Sequence, residues 1–186
     1  AVRWMLARVH PGDVLRWWSD LVEPALVDLG ARAAVTGPGE TPAPSLTAAA
    51  FAELRSRAAV SSSRLDDART PAVLALGTGR GDGLVLHVLA AALQENGVLA
   101  RLLSPADPAA VGQAVEDVAP AAVVAHLPDQ DPEGLSDTVD AVVRVAPDLP
   151  VFLHLEGAAA ADLRHPSTHR VRTLTGALHE VLAVVP

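Results

Sequence analysis

The chain has 186 residues, of which 50% are hydrophobic and none is cysteine, and its formal net charge is −8. This length and composition allow a well-packed core of one domain or two small ones. The acidic balance argues against nucleic-acid binding by the chain itself, since such binding depends on Lys and Arg.

The absence of cysteine excludes disulfides, thiolate nucleophiles and Cys-based zinc sites. No apolar run is long enough for a signal peptide or a membrane span, so we expect a cytoplasmic protein with no membrane partner. Because the chain starts at Ala1 rather than Met, we also expect it to be part of a longer protein.

Residues 1–62 carry helical patterns and predict a small bundle. In chain order, helices are predicted over residues 1–9, 14–29 and 46–60, with a Pro- and Gly-rich loop over 36–45. Asp13 is the candidate N-cap of the second helix, and Gly30 is its candidate end. Pro24 lies inside this helix, which predicts a kink or a local repair of its hydrogen bonds.

After a polar linker over residues 63–70, the pattern of residues 71–186 changes to alternating strands and helices. Buried strands are predicted over 71–77, 98–104, 121–126 and 151–155, with a weaker fifth over 169–172, and helices over 84–96, 107–118, 133–146 and 173–185. This alternation predicts an α/β domain of flavodoxin-like, Rossmann-type fold. We expect a five-stranded parallel sheet of order 2-1-3-4-5 below the helical bundle.

The glycine-rich stretch GTGRGDG, residues 77–83, lies where ligands bind in such sheets, beyond the carboxyl end of a strand. A dinucleotide fingerprint starting at Gly77 needs glycine at position 82, which is Asp82, and the Lys-Ser/Thr pair of a phosphate-binding loop is absent. A plain strand-to-helix turn without a ligand remains an alternative.

Two histidines end neighbouring predicted strands, His126 and His154. With Asp82 or His87 they are expected to converge at the carboxyl edge of the sheet, where imidazoles can bind a polar ligand or a metal. The alternative is that they only form hydrogen bonds at the strand ends, and we predict no metal site.

Trp17 and Trp18 are adjacent on the second predicted helix and therefore point in different directions. We expect one ring to pack in the core and the other to face a cavity below the bundle or a partner.

The order of the units carries a family resemblance. A helical bundle containing L-V-E-P-A-L-V-D-L-G, residues 21–30, is followed by an α/β domain that opens with a G-x-x-x-x-x-G helix. This resembles the cobalamin-binding sensor region of MerR-type, light-responsive transcriptional regulators of the CarH and LitR kind. The resemblance implies a bundle that caps the upper face of adenosylcobalamin and an α/β domain that supplies a lower axial His from a D/E-x-H-x-x-G loop.

The residues that would contact the cofactor depart from that pattern. If the helix ending at residues 93–97 is aligned without a gap, Asp82 takes the place of the axial His and Val85 that of the Gly. If Gly81 and Asp82 are matched to the family's G-D/E pair, Leu84 takes the His place and His87 the Gly place.

The other cofactor motifs depart as well. The family's later Gly-Gly turn corresponds to HLEGAAA, where Glu156 precedes Gly157. The bundle motif W-x9-E-H would begin at Ala33, and residues 43–45 contain neither Glu nor His. Candidate cofactor-binding positions are therefore Trp18, Asp82, Leu84, Val85, His87, His126, His154 and Gly157.

These features predict a non-enzymatic regulatory domain that has lost or altered cobalamin binding, so that no cofactor is expected beyond the resemblance to adenosylcobalamin. We expect a homodimer that contacts DNA only through a helix-turn-helix domain outside this chain, with an unidentified small ligand as a further candidate partner. The alternative is a corrinoid-carrying subunit of a methyltransferase or mutase system. An α/β enzyme is disfavoured, because no nucleophile elbow, H-E-x-x-H or paired-carboxylate signature is present.

Overall fold

The computed structural model describes residues 2–31, 35, 37, 42–65, 70–77, 83–103, 107–127, 132–155 and 165–185. The helices of the first part are α1 (Val2–Leu6), α2 (Val14–Trp17), α3 (Glu23–Ala31) and α4 (Pro42–Ser62). A π-helical turn, Trp18–Val22, joins α2 to α3 without a break. Asp13 caps α2, as predicted, by accepting a hydrogen bond from the Arg16 amide at 2.9 Å.

Pro24 explains the π-helical turn. Proline has no N–H to donate, and its ring clashes with the carbonyl group four residues earlier, here that of Asp20. The wider turn changes the bonding pattern just before the proline, where the Glu23 N–H bonds to the Trp18 carbonyl oxygen. The predicted local repair of this helix is thus confirmed, and its form is a π-turn.

The predicted loop over residues 36–45 is too long, because α4 begins at Pro42. The first turn of a helix needs no N–H donors, so Pro42 and Pro44 are accommodated there. The proline content therefore marked the start of a helix as well as the end of a loop.

Arg57 of α4 holds the bundle together. Its guanidinium pairs with Glu53 at 3.0 Å and donates to the carbonyl oxygens of Val9 at 2.9 Å and His10 at 2.8 Å, just after α1. The indole N–H of the buried Trp17 donates to the Leu6 carbonyl oxygen at 3.0 Å. These bonds tie the end of α1 and the turn that follows it to α2 and α4.

The second part forms the predicted sheet. Its strands are β1 (Ala72–Gly77), β2 (Leu99–Leu103), β3 (Ala122–Leu127), β4 (Val151–Leu155) and β5 (Thr168–Val171). All neighbours pair in parallel in the order β2-β1-β3-β4-β5. The helices are α5 (Leu84–Glu95), α6 (Pro108–Val118), α7 (Pro132–Val145) and α8 (Leu174–Val184), and the predicted fold class is confirmed.

The two faces of the sheet are covered differently. One face packs against α6 and α7 around buried residues such as Leu74 and Leu153. The other face packs against α5, α8 and the bundle, and one cluster joins Phe152 of β4 to Trp17 and Trp18. Because α5 lies between sheet and bundle, its side chains from Val88 to Leu93 are all buried.

Candidate functional site

The two predicted histidines meet near the carboxyl edge of the sheet. The parallel register aligns Gly77, His126, His154 and Val171 in one row across β1, β3, β4 and β5. Both imidazoles lie on the face that packs against α5, α8 and the bundle. His126 is two residues after Val124 and His154 is two residues after Phe152, and residues two apart in a strand point to the same face.

The imidazoles of His126 and His154 form a direct hydrogen bond. Their Nδ1 atoms are 2.9 Å apart, and the rings stack with centroids 5.1 Å apart. The side chains are only 7% and 5% exposed. In this bond one Nδ1 carries the proton and the other accepts it, so the two rings have different roles.

Burial lowers the pKa of His126 to about 4, although a hydrogen bond with the His154 backbone opposes the shift. The imidazole of His126 is therefore neutral at physiological pH.

His154 also lines a cleft of about 560 Å³ between the bundle and the carboxyl edge of the sheet. We call this the edge cleft. Its lining residues are Leu15, Trp18, Ser19, Glu23, Val85, His154, Arg172, Thr173, Leu174 and Thr175. Trp18 and His154 are the buried part of the lining, while Glu23 and Arg172 are exposed. A buried aromatic floor with polar groups at the rim is the usual arrangement of a small-molecule site.

Three of the predicted cofactor-binding residues thus lie together in the edge cleft, namely Trp18, Val85 and His154. Trp17 packs in the core while Trp18 lines the cleft, as the sequence predicts for this pair. Leu84 is buried in the hydrophobic cluster and 1% exposed.

His87 does not join the other histidines, which corrects the His87 part of the prediction that either Asp82 or His87 converges with them. Its ring packs edge-on against Phe51 of α4, with centroids 5.1 Å apart. Burial, and secondarily the charge of Arg55, lowers the pKa of His87. The reason is helical geometry: His87 is two residues beyond Val85, about 200° around α5, and so faces the bundle instead of the cleft.

Asp82 and Gly157, with the neighbouring Glu156, lie outside the described residues. The predictions for these positions are therefore neither confirmed nor contradicted. Within the described ranges, no group of three or more His, Asp or Glu side chains is arranged to hold a metal ion. No helix there is long and apolar enough to cross a membrane.

Sequence reasoning missed two charged residues of the cleft, Glu23 and Arg172. Arg172 directly follows β5, so the rule that ligands bind at the carboxyl ends of strands could have identified it. Glu23 belongs to the L-V-E-P segment of the bundle, and its position depends on how the bundle docks on the sheet.

Another cavity, of about 480 Å³, lies near the ends of α4 and α5 at the opposite edge of the sheet. Its buried charges, Glu53 and Arg57, already bind each other and the end of α1. The edge cleft is therefore the better candidate site.

The described residues do not fit a cobalamin ligated from α5. Leu84 and Val85 have hydrocarbon side chains that cannot ligate cobalt, and Leu84 is enclosed in the core. The imidazole in the cleft belongs to His154, and its Nδ1 is bound to His126.

Comparison with known proteins places the fold. No protein-family model and no curated protein matches the chain. Among solved structures, it is similar to a cobalamin-binding protein from Desulfitobacterium hafniense DCB-2, with a TM-score of 0.53 and 13% sequence identity over 100% of this chain and 97% of that one. The chain therefore has a Rossmann-like fold of the kind found in that cobalamin-binding protein, bundle included.

Proposed function

We propose that this chain is a non-enzymatic sensory domain of a transcriptional regulator of the MerR type, in which the cobalamin-binding fold is kept and cobalamin binding is lost. The observation that carries the proposal is the buried His126–His154 pair, whose Nδ1 atoms are 2.9 Å apart on the sheet face below the bundle. Two imidazoles bound to each other there favour a site that is closed to a large cofactor.

The side chains of α5 support the loss of the cofactor. Leu84 offers no ligand to cobalt, and Val85 brings a β-branched side chain into the cleft at a position that one alignment matches to a family glycine. A side chain in place of a closely approached glycine costs roughly 1–3 kcal/mol if it acts like core overpacking. Each 1.4 kcal/mol weakens binding by about tenfold.

The cleft also supports a non-catalytic role. The Ser19 hydroxyl at the rim donates its proton to the carboxylate of the neighbouring Asp20 at 3.1 Å and not to an imidazole of the described residues. Thr173 accepts a hydrogen bond from the Gly176 amide at 3.0 Å as the N-cap of α8. A nucleophile activated by an adjacent base, which acyl or glycosyl transfer needs, is not formed by these hydroxyls.

Titration of the purified chain with adenosylcobalamin in the dark tests the proposal. We expect no shift of the corrin absorbance bands and no co-elution of the pigment at micromolar concentration. The Desulfitobacterium protein, treated identically, is the matched control for the fold. Micromolar or tighter binding with a spectral shift would contradict the proposed loss.

The variant Asp82→His places an imidazole at the position that the ungapped alignment matches to the axial His of the family. We expect it not to restore binding, because Val85 remains in the cleft and His154 remains paired with His126. Recovery of binding by this single change would show that the axial ligand alone was missing.

A second candidate function is a corrinoid-carrying subunit of a methyltransferase or mutase system. The description of the similar structure as a cobalamin-binding protein favours it. The same titration separates the two, since a carrier must bind the corrinoid.

A regulator also needs a part that binds DNA. The net charge of −8 disfavours DNA binding by this chain itself. The proposal therefore requires a separate helix-turn-helix domain to read DNA, whereas a methyltransferase or mutase barrel as the partner domain would favour the carrier.

A further inference from the structure

We propose that the edge cleft binds a small zwitterion with an aromatic side chain, of the chemistry of an aromatic amino acid. This inference deepens the proposed function, on which it rests, by naming the class of ligand that the altered site would sense. It stands on three features of the cleft: an aromatic floor, two unlike charges at the rim, and a matching volume.

The floor of the cleft favours a flat apolar group. Trp18 is 6% exposed and His154 is 5% exposed, so both rings are held in place by the packing around them. Leu15, Val85 and Leu174 are partly buried walls of the same cleft. An aromatic ring entering this space gains both apolar burial and ring contacts with fixed partners.

The rim carries one acid and one base that do not bind each other. Glu23 begins α3 on the bundle side, and Arg172 lies between β5 and α8 on the sheet side. Within the part of the chain that the structure describes, neither side chain forms an ion pair or a hydrogen bond. Two opposite charges kept apart across one cleft are complementary to a ligand that carries both signs.

Each charge has a matching ligand group. A carboxylate suits the Arg172 guanidinium, which can bind it through two parallel hydrogen bonds. The amino terminus of α8, an 11-residue helix that begins at Leu174 beside Arg172, adds a favourable field for an anion. An ammonium group suits the Glu23 carboxylate, so an amino acid can satisfy both sides of the rim.

The size of the cleft agrees with this class of ligand. Its volume of about 560 Å³ lies within the range of roughly 300–1,000 Å³ that small-molecule sites span. A purely anionic ligand would be repelled by the Glu23 carboxylate, and a purely cationic ligand would be repelled by the Arg172 guanidinium.

The first experiment is isothermal titration calorimetry of the whole chain with L-phenylalanine, L-tyrosine and L-tryptophan. Two analogues of phenylalanine complete the set: 3-phenylpropionate, which lacks the amine, and phenethylamine, which lacks the carboxylate. We expect an amino acid to bind about tenfold or more tightly than its analogues, because each analogue lacks one of the two hydrogen-bonded charges. The proposal is overturned if no amino acid binds at millimolar concentration, or if an analogue binds as tightly.

Two variants assign the charges. We expect Arg172→Gln to weaken amino-acid binding by about tenfold without weakening phenethylamine binding, and Glu23→Gln to weaken amino-acid binding by about tenfold without weakening 3-phenylpropionate binding. Arg170→Gln and Glu180→Gln are matched controls at exposed positions outside the cleft. Equal effects of the cleft and control variants would overturn the assignment.

Adenosylcobalamin belongs in the same set of titrations, because it separates this inference from the proposed function. If it binds, the proposed loss of cobalamin is wrong whatever the amino acids do. If neither it nor any amino acid binds, the loss stands and only the zwitterion inference fails.

Discussion

The imidazole of His126 links the stability of the fold to pH. Its pKa falls from 6.5 to about 4 on folding. Between these two pH values the imidazole is therefore protonated in the unfolded chain but neutral in the folded chain. The free energy of unfolding therefore has its full contribution from His126 above pH 6.5 and loses it as the pH falls towards 4. The whole contribution is about 3 kcal/mol.

We expect the free energy of unfolding in urea to fall between neutral pH and about pH 4, and to fall by less in the variant His126→Asn. The comparison with wild type is needed because carboxylates also titrate in this range. The exposed His179→Asn on α8 is the control. An unchanged pH dependence in His126→Asn would show that the buried pair does not carry the effect.

The ion pair of Arg57 and Glu53 leads to a second prediction at the scale of single residues. Both side chains are only 8% exposed, so Arg57→Met leaves a buried, unpaired carboxylate and loses bonds to the end of α1. We expect the free energy of unfolding to fall by about 3–5 kcal/mol. The double variant with Glu53→Leu should recover part of this, because the isolated charge is gone.

The exposed pair of Arg16 and Asp13 provides the control for this experiment. Its side chains are 70% and 51% exposed, and Arg16→Met should cost under about 1 kcal/mol. Similar losses from Arg57→Met and Arg16→Met in urea unfolding would contradict a structural role of the buried pair.

At the scale of elements, the start of α6 depends on its cap. The Asp107 carboxylate accepts from the amides of Ala109 at 3.0 Å and Ala110 at 3.2 Å. We expect Asp107→Ala to destabilise the fold by about 1 kcal/mol, and Asp117→Ala on the exposed surface of the same helix to cost less. Equal losses in thermal unfolding would contradict the capping role.

The elements were predictable from sequence where local chemistry decides them. Continuous apolar runs marked the buried parallel strands, and Asp107 before Pro108 marked the start of α6. The start of α4 was predicted too late, because Pro42 is compatible with both a loop and a first helical turn.

The site was predictable only in part. The meeting of His126 and His154 follows from topology, since both occupy equivalent places on neighbouring parallel strands. The roles of Glu23 and Arg172 depend on how the bundle docks on the sheet, which no local pattern encodes. His87 was misplaced because its direction depends on rotation around α5 and not on its distance along the chain.

At the scale of the whole molecule, the bundle and the sheet share one hydrophobic cluster. We therefore expect one cooperative unfolding transition, with equal calorimetric and van't Hoff enthalpies. A fragment of residues 71–186 would expose the bundle side of α5 and should bind a hydrophobic dye. Two separate transitions in calorimetry would show that the parts fold independently.

Self-association is the remaining prediction for the whole molecule. An exposed apolar face is a candidate for a symmetric dimer, and Trp4 and Met5 of α1 are 61% and 55% exposed. Light scattering should return twice the mass of the chain at micromolar concentration, and Trp4→Ser should lower it. A single-chain mass throughout that range would exclude the dimer.

The π-turn before Pro24 also fixes the angular phase of the bundle. A π-turn is equivalent to one residue inserted into an α-helix, taken up as a local bulge so that the helix beyond it keeps its orientation. Deleting one residue between Trp18 and Glu23 would let the segment wind as a regular α-helix without rotating the helix beyond it, but the Pro24 ring would then meet a carbonyl group of the preceding turn. The extra residue of the turn therefore accommodates the proline while Trp18 and Glu23 both keep their directions toward the edge cleft.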